Sequence, residues 1–553
     1  FGRTNMSSRV ITLLLVVTLA AHAYGGKPTH SQKDDDDHTF SEEVIRMYQE
    51  NILKRNEENK QARMQGKSVG SAEWIRKGQD TVNYAANRGL NTNLAKNVII
   101  FIGDGMGLTT MSAARILRGQ QLGGTGEEHQ LSWDKFSHSM LAKTYSVNGQ
   151  TPDSASTANA MLTGVKSSVW VIGVDEEVVP YMCDTVAGHE VDSILRWSKR
   201  EGKAAGLITT TRPSHATPAA AFAHSPCRCW EGDHQVPEWE EAQCPDITKQ
   251  LVVNNTDIEV ILGGGRSYFM NENQEDPEYP FEVGFREDGR DLIQEWYDHK
   301  LSINQRPAYV WNISAFNEVN PANTDYLMGL FERQSMRNDA DRIDGDIAGE
   351  PSISEMTQKA IEILSKNENG FFLLVEGGRI DSGHHSGRAA RALLETIALD
   401  RAVETAVNMT SENDTLIVVT ADHGHVLAFG GYSERGNPIL GKTLVDAADD
   451  KPYTTLTYGN GPGYQGVYND TGADPEDLTT REDLENVDTS DSNYRQQSPV
   501  PLSSETHSGE DVIVMANGPM AHLFYGVQEQ SYVAHAMAYA SCVGENKMHC
   551  NRP

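Results

Sequence analysis

Val98-Ile99-Ile100-Phe101-Ile102-Gly103-Asp104-Gly105-Met106-Gly107 is an unbroken apolar run that ends in glycines around one carboxylate. Five apolar residues without alternation suit a strand buried on both faces, the environment of a parallel sheet. Comparable runs stand at 204–208, 258–262, 371–375, 415–419 and 512–515. Between them Ile353, Met356, Ala360, Ile363 and Leu364 recur at helical spacing, as do apolar residues along 389–407. Strands alternating with helices predict an α/β fold, a large and mostly parallel sheet with helices on both faces.

Sheets of this kind bind ligands outside the carboxyl ends of their strands. The first run leads into Asp104, the run at 371–375 into Glu376-Gly377-Gly378-Arg379-Ile380-Asp381, and that at 415–419 into Thr420-Ala421-Asp422-His423-Gly424-His425. Carboxylates and imidazoles therefore collect along one edge. Asp381 and His385 are four residues apart, and Asp422 and His423 are adjacent. Mixed Asp and His donors suit zinc, while oxygen-only sets suit magnesium or calcium. One such pair is commonly surface or core decoration, but several at successive strand ends are hard to attribute to chance. Thr151-Pro152-Asp153-Ser154-Ala155-Ser156 places a hydroxyl before a helical stretch, where the positive end of the helix dipole favours an alkoxide and a bound phosphate. The plain alternative for Ser154 is a helix N-cap. Serine is a poor nucleophile near neutral pH without a base or metal beside it, so the metal ligands decide between the two.

The 553 residues suffice for a large core. With 47 Lys+Arg against 78 Asp+Glu the formal charge is −31, which argues against binding a nucleic acid backbone. An anionic substrate must be attracted locally, and bound divalent cations can do that. Met6-Ser7-Ser8-Arg9, the apolar run at 10–21 and Ala21-His22-Ala23 follow the order of a secretory signal peptide, giving a leader at 1–23. That run is shorter than the roughly 20 residues of a spanning helix, so a secreted chain without a membrane span in its mature form is expected. A lipid-anchored form would need a further apolar C-terminal segment. Residues 24–96 read as an acidic leader, with Asp34 to Asp37, and a charged helical arm without a strong core pattern. Residues 429–504, rich in Gly, Tyr and Asp, read as an irregular, crown-like insertion over the sheet edge. Cys183, Cys227, Cys229, Cys244, Cys542 and Cys550 form an even set in a chain marked for export, so disulfides are expected. Sequons at Asn254, Asn312, Asn408, Asn413 and Asn469 agree with export as a glycoprotein.

Six separated motifs resemble animal alkaline phosphatases in the same order: 101–107, 151–166, 215–219, 375–385, 420–426 and 505–511. The resemblance runs over about 97–550, the expected catalytic domain. It implies a metal-dependent phosphomonoesterase with Ser154 as nucleophile and Arg228 clamping the phosphate, a role suited to the bidentate guanidinium. It implies a first zinc on Asp381, His385 and His507, a second on Asp104, Asp422 and His423, and magnesium on Asp104, Thr217 and Glu376. Asp153, His215, Ser382 and His425 would stand beside these ligands. A calcium ion is implied at Glu278, the Phe331 carbonyl, Glu332 and Glu350, with Glu350 where an Asp is usual. The family pairs Cys183 with Cys244 and Cys542 with Cys550; it offers no counterpart for Cys227 and Cys229, which flank Arg228 either as free thiols or as a special bridge. A homodimer is implied, with Tyr432 reaching the partner and the arm embracing it. The implied reaction is an in-line displacement through a phosphoserine, with two zinc ions and one magnesium ion per subunit.

A phosphodiesterase or sulfatase on the same fold is the nearest rival, and Glu376, Thr217 and Arg228 together favour the monoesterase. A silent, acidic binding protein is disfavoured because every ligand position and the nucleophile are present. Ser382 departs from the pattern, since the animal enzymes usually carry His there. An uncharged Ser should hold the phosphate dianion less tightly. Ser382→His is expected to tighten inhibition by inorganic phosphate and lower turnover, read as the inhibition constant across alkaline pH; unchanged or weaker inhibition would remove this role for Ser382.

Overall fold

The computed structural model describes residue 46 and residues 70–239, 244–342, 348–447, 449–464 and 481–551. The predicted leader, the acidic stretch at 34–37, most of the arm before residue 70 and the sequon at Asn469 lie outside the described residues. The chain divides into two compact units, 1–88 and 89–553. In the first, α1 (Ser71–Asn87) carries i,i+3 and i,i+4 pairs from Arg76 to Glu73 and Asp80, the spacing at which helical side chains meet.

The second unit is built on a ten-stranded sheet in the order β14-β2-β13-β8-β1-β7-β3-β4-β6-β5. Its strands are β1 (Asn97–Gly103), β2 (His138–Lys143), β3 (Ala204–Thr209), β4 (Val260–Gly263), β5 (Pro307–Val310), β6 (Tyr326–Leu330), β7 (Phe371–Gly377), β8 (Thr415–Ala421), β13 (Val512–Asn517) and β14 (Val527–Glu529). Four two- or three-residue strands lie outside it: β9 (Gly424–His425) pairs with β12 (His507–Ser508), and β10 (Leu427–Phe429) with β11 (Leu456–Tyr458). In the large sheet β13 runs antiparallel to β8 and β2, and the other pairings are parallel. Every residue of β7 and β8 is buried, as expected of strands covered on both faces.

Two helix groups cover the sheet, one on each face. α4 (Ile353–Leu364) and α6 (Ala389–Met409) pack together and onto β7; α4 also meets β3 and α6 meets β1. α2 (Leu108–Gln121) lies against α6. The other group joins α3 (Ser154–Thr163) to α7 (Tyr532–Ser541) and the helix Ile194–Arg200, with α7 on β1 and the 194–200 helix on β3 and β7. α4 starts at a reciprocal capping box between Ser352 and Glu355, and it turns Ile353, Met356, Ala360, Ile363 and Leu364 inward. α6 instead buries a row of alanines, including Ala392, Ala398, Ala402 and Ala406. Small side chains let a long helix lie close to its neighbours.

The strands predicted from the six apolar runs are all present, with β4 starting at Val260 rather than 258. Four sheet strands had no such run. β2, β5 and β14 sit toward the edges and are only partly buried, so no continuous apolar stretch marks them. β6 is buried but interrupted by Gly329. Three bridges join Cys183 to Cys244, Cys227 to Cys229 and Cys542 to Cys550. The first and third match the pairing that the family implies, and the second settles the open state of Cys227 and Cys229 in favour of a bridge.

Leu374 stands in register with Ile100 of β1 and Leu207 of β3, and all three are fully buried. Leu374→Ala is expected to destabilise the fold by about 2–5 kcal/mol through lost burial and a cavity that the two neighbouring strands cannot close. Denaturant unfolding would show a lower midpoint; a shift under about 1 kcal/mol would mean that the sheet centre is loosely packed.

Candidate active site

Parallel register sets the site. Gly103 at the end of β1 pairs with Gly377 of β7 and Ala421 of β8, so Asp104 and Asp422 leave the sheet together, beside Glu376. Gly105 takes φ +72°, and a Cβ there would lie 2.5 Å from His425 Nε2. Only glycine fits both the left-handed turn and that approach. After β7, α5 (Arg379–His385) makes about two helical turns and sets Asp381 and His385 on one face, with His385 Nε2 3.3 Å from Asp381 Oδ1. His507 enters from β12, its Nε2 3.4 Å from Asp381 Oδ1 and 3.1 Å from His385 Nε2.

Asp104, Glu376 and Asp422 are fully buried. Burial raises the Asp104 carboxyl well above its ordinary value, and the neighbouring Asp422, Asp381 and Glu376 carboxylates push it further. Burial likewise lifts Glu376 to about 7, against the Thr209 and Thr211 hydroxyls that donate to its Oε2. So many buried carboxylates cannot all ionise without added positive charge. Asp104 Oδ2 and His215 Nδ1 are also buried without a hydrogen-bond partner, and the Thr217 hydroxyl faces Glu376 without a well-formed hydrogen bond. Orphaned oxygens of this kind are what a hard cation would satisfy.

The imidazoles answer the same question. His385 Nδ1 lies 2.6 Å from the Glu505 carbonyl, His507 Nδ1 2.9 Å from the Pro152 carbonyl, and His423 Nδ1 3.3 Å from the Gly424 carbonyl. A carbonyl can only accept, so each ring carries its proton on Nδ1 and turns a bare Nε2 into the site. Burial holds His423 well below its ordinary pKa and His385 lower too, keeping both neutral as ligands must be. Donor atoms of Asp104, Asp422 and His423 lie within 4.8 Å of one another, as do those of Asp104, His215 and Glu376. The residues fit a mixed Asp and His site at Asp381, His385 and His507, and a second mixed site and an oxygen-rich site that share Asp104.

His425 differs. Its Nε2 meets Asp381 Oδ1 at 2.9 Å and its Nδ1 meets Glu505 Oε2 at 2.5 Å. Burial opposes its charge, but the Asp381 and Glu505 carboxylates outweigh burial and lift its pKa to about 9. It is therefore a cationic clamp on Asp381 and not an open donor. Glu505, buried and also accepting from Val426 N at 2.9 Å, is the residue that sequence reasoning left without a role; its place beside His507 in the motif was the available signal.

Ser154 is the first residue of α3, not its cap. Asp153 is the cap and accepts from Ser156 N at 3.1 Å. Ser154 Oγ lies 3.4 Å from Asp104 Oδ1 and 3.2 Å from His423 Nε2. Arg228 donates from Nη1 to Asp153 Oδ2 at 3.2 Å and from Nη2 to His215 Nε2 at 3.1 Å. Its guanidinium is thus tied to the residue that precedes the serine. Ser382 Oγ accepts from Arg379 Nη1 at 3.2 Å. Elsewhere, Glu278 accepts from Arg266 at 3.1 Å, Glu332 from Tyr279 at 2.5 Å and Arg337 at 3.2 Å, and Glu350 from the Arg337 backbone N–H. Phe331 follows β6, its N–H on the Gly263 carbonyl. These three carboxylates do not appear in the donor clusters that fall within 4.8 Å among the described residues.

Residues 95–543 match the alkaline phosphatase family. The chain is 51% identical to the tissue-nonspecific alkaline phosphatase of Gallus gallus over 86% of its own length and 91% of the relative's. It is 50% identical to the alkaline phosphatase of Gadus morhua, over 83% and 94% respectively. The solved alkaline phosphatase of the Antarctic bacterium TAB5 superposes with a TM-score of 0.55 at 22% identity, covering 82% of this chain and all of that one.

The clamp on Asp381 has a pH signature. His425 gains a pKa of about 9 from an ordinary 6.5, so its contribution to stability is complete below about 6.5 and is lost as pH rises through about 9. In chelator-treated protein, Glu505→Gln should cost of order 2 kcal/mol at pH 6 and progressively less by pH 10. Thermal unfolding of both proteins across that range tests it; a pH-independent difference would mean that His425 is neutral.

Proposed function

The chain belongs to the alkaline phosphatase family, and from that membership we propose how its own side chains carry out phosphate monoester hydrolysis. It is a phosphoric monoester hydrolase. Asp381, His385 and His507 would hold one zinc, Asp104, Asp422 and His423 a second, and Asp104, Thr217 and Glu376 a magnesium ion. The observation that carries this assignment is the orientation of the imidazoles, with three Nδ1 atoms on backbone carbonyls and three Nε2 atoms turned toward Asp104 and Asp381. When bound, such cations lower the pKa of an adjacent hydroxyl or water and neutralise charge on the leaving oxygen.

Ser154 Oγ stands at the N-terminus of a ten-residue helix, whose dipole favours the incoming dianion. Arg228 offers two guanidinium nitrogens to the phosphate's non-bridging oxygens, which sets phosphorus in front of Ser154. The bond from Oγ to phosphorus forms as the bond to the alcohol oxygen breaks, leaving a phosphoserine. Water then displaces Oγ from the opposite side and releases inorganic phosphate, so that two inversions retain configuration.

The same reading includes export as a disulfide-bonded glycoprotein and a homodimer. It is supported by the three bridges and by the exposure of Tyr432, 70% accessible. Among the described residues no helix is long and apolar enough to cross a membrane. A calcium ion at Glu278, Phe331, Glu332 and Glu350 would take oxygens that bond Arg266, Tyr279 and Arg337 in this structure.

Steady-state hydrolysis of a chromogenic phosphate monoester, with and without a chelator, tests the assignment as a whole. Chelation should abolish turnover and zinc with magnesium should restore it. Ser154→Ala should lose at least about a thousandfold in kcat while retaining bound metal; a variant that keeps most of its activity would remove Ser154 from its role.

A further inference from the structure

The Cys227–Cys229 bridge encloses a single residue, Arg228. Two Cα atoms that far apart in sequence would stand about 7 Å apart in extended chain, but here they are 5.1 Å apart. The chain bends at Arg228, and the bend continues as a turn in which Trp230 N–H donates to the Cys227 carbonyl at 3.2 Å. Cys227 is fully buried in an apolar cluster with Trp230, Val236 and the Cys183–Cys244 bridge, and Cys229 packs against its rim. Ser225 fixes the same residue, its Oγ donating to the Cys227 carbonyl at 2.8 Å. The bridge therefore fastens the base of Arg228 to immobile structure.

The arginine is held from above as well. Its backbone N–H donates to the Trp170 carbonyl at 2.7 Å, and Trp170 N–H donates to Asp153 Oδ2 at 3.2 Å, the oxygen that also accepts from Arg228 Nη1. Asp153, Trp170 and Arg228 close a loop of hydrogen bonds whose far side is the cap of the Ser154 helix. An error in the Arg228 backbone is thus transmitted to the distance between guanidinium and nucleophile.

We infer that the Cys227–Cys229 bridge is a positioning device for the phosphate clamp, setting the affinity of the site for phosphate through Arg228. This rests on the reading of Arg228 as the residue that binds the phosphoryl oxygens. Neither cysteine touches the reacting atoms. With the bridge gone, the turn is free to open, and the guanidinium spends part of its time away from the two-point geometry that makes such contacts strong. An effect of that origin weakens ground state and transition state alike, so it appears in KM and not in kcat.

The experiment uses the metal-loaded full chain. Non-reduced peptide mapping of the wild type should recover 227 and 229 as a bridged pair; two free thiols would overturn the inference. Cys227→Ala/Cys229→Ala, with the corresponding Ser pair as a second version, should keep wild-type metal content and a kcat within about twofold. KM for the chromogenic monoester and the inhibition constant for inorganic phosphate should both rise about tenfold, the scale of a weakened charge-assisted pair. In an Arg228→Ala background the same removal should change phosphate inhibition by less than about twofold. An unchanged inhibition constant in the bridge variants, or an equal loss with and without Arg228, overturns the inference and leaves the clamp intact. Unaltered inhibition in Arg228→Ala alone would overturn the clamp and the inference together.

Discussion

Four clustered carboxylates at one edge of a parallel sheet, three of them fully buried, are the constraint on which the rest of this structure depends. Asp104 and Asp422 directly follow the adjacent strands β1 and β8, Glu376 lies in β7, and Asp381 lies in the short helix α5 after it. Their proximity is a cost to the fold, because each raises the charging energy of the others. The chain offsets part of that cost with Arg228, with His425 as a cation, and with backbone N–H donors such as Gly105 N and His423 N on Asp422. What remains uncompensated is the charge that metal ions would supply.

The layered arrangement around the edge follows from the same requirement. Donors have to be pointed inward, and the backbone does the pointing: carbonyls of Pro152, Gly424 and Glu505 fix three imidazoles. Those carbonyls come from β9 itself, from the residues before β12 and from the approach to α3. His384 is locked in turn between Thr110 and Tyr458, at 3.0 and 2.7 Å, and stacks on His425. The β10–β11 pair thus reaches the site through Tyr458. Rigidity of this kind is what lets a reaction governed by positioning and charge proceed with little reorganisation.

Much of this was legible in the sequence because the central strands are buried on both faces. Burial forces continuous apolar runs, and the strand ends then announce themselves as Asp104, Glu376 and Asp422. Edge strands escaped for the converse reason: β2 and β14 expose part of each residue row to solvent, so His138, Lys143 and Glu529 break the pattern. The ligand residues were visible as motifs, and their partners were not. Glu505 carries no spacing signal that separates a carboxylate gripping His425 from an exposed one. The Cys227–Cys229 bridge was equally undecided, since a spacing of two permits either state.

The acidic balance of the whole chain bears on how such a site can work at all. A net charge of −31 repels a dianion at long range, yet salt screens that field over about 8–10 Å. Inside that distance the field is set by Arg228, the amino end of α3, the clustered carboxylates and the cations that they would hold. The site is lined by buried groups such as Asp104, Glu376, Asp422 and His425, where local charges act with less screening than those at the surface. Discrimination for phosphate therefore arises only at short range, where geometry decides it. A fold under that condition gains little from a basic surface and much from a rigidly placed guanidinium, and the attachments of Arg228 to Asp153, His215, Trp170 and the bridge at its base are consistent with that demand.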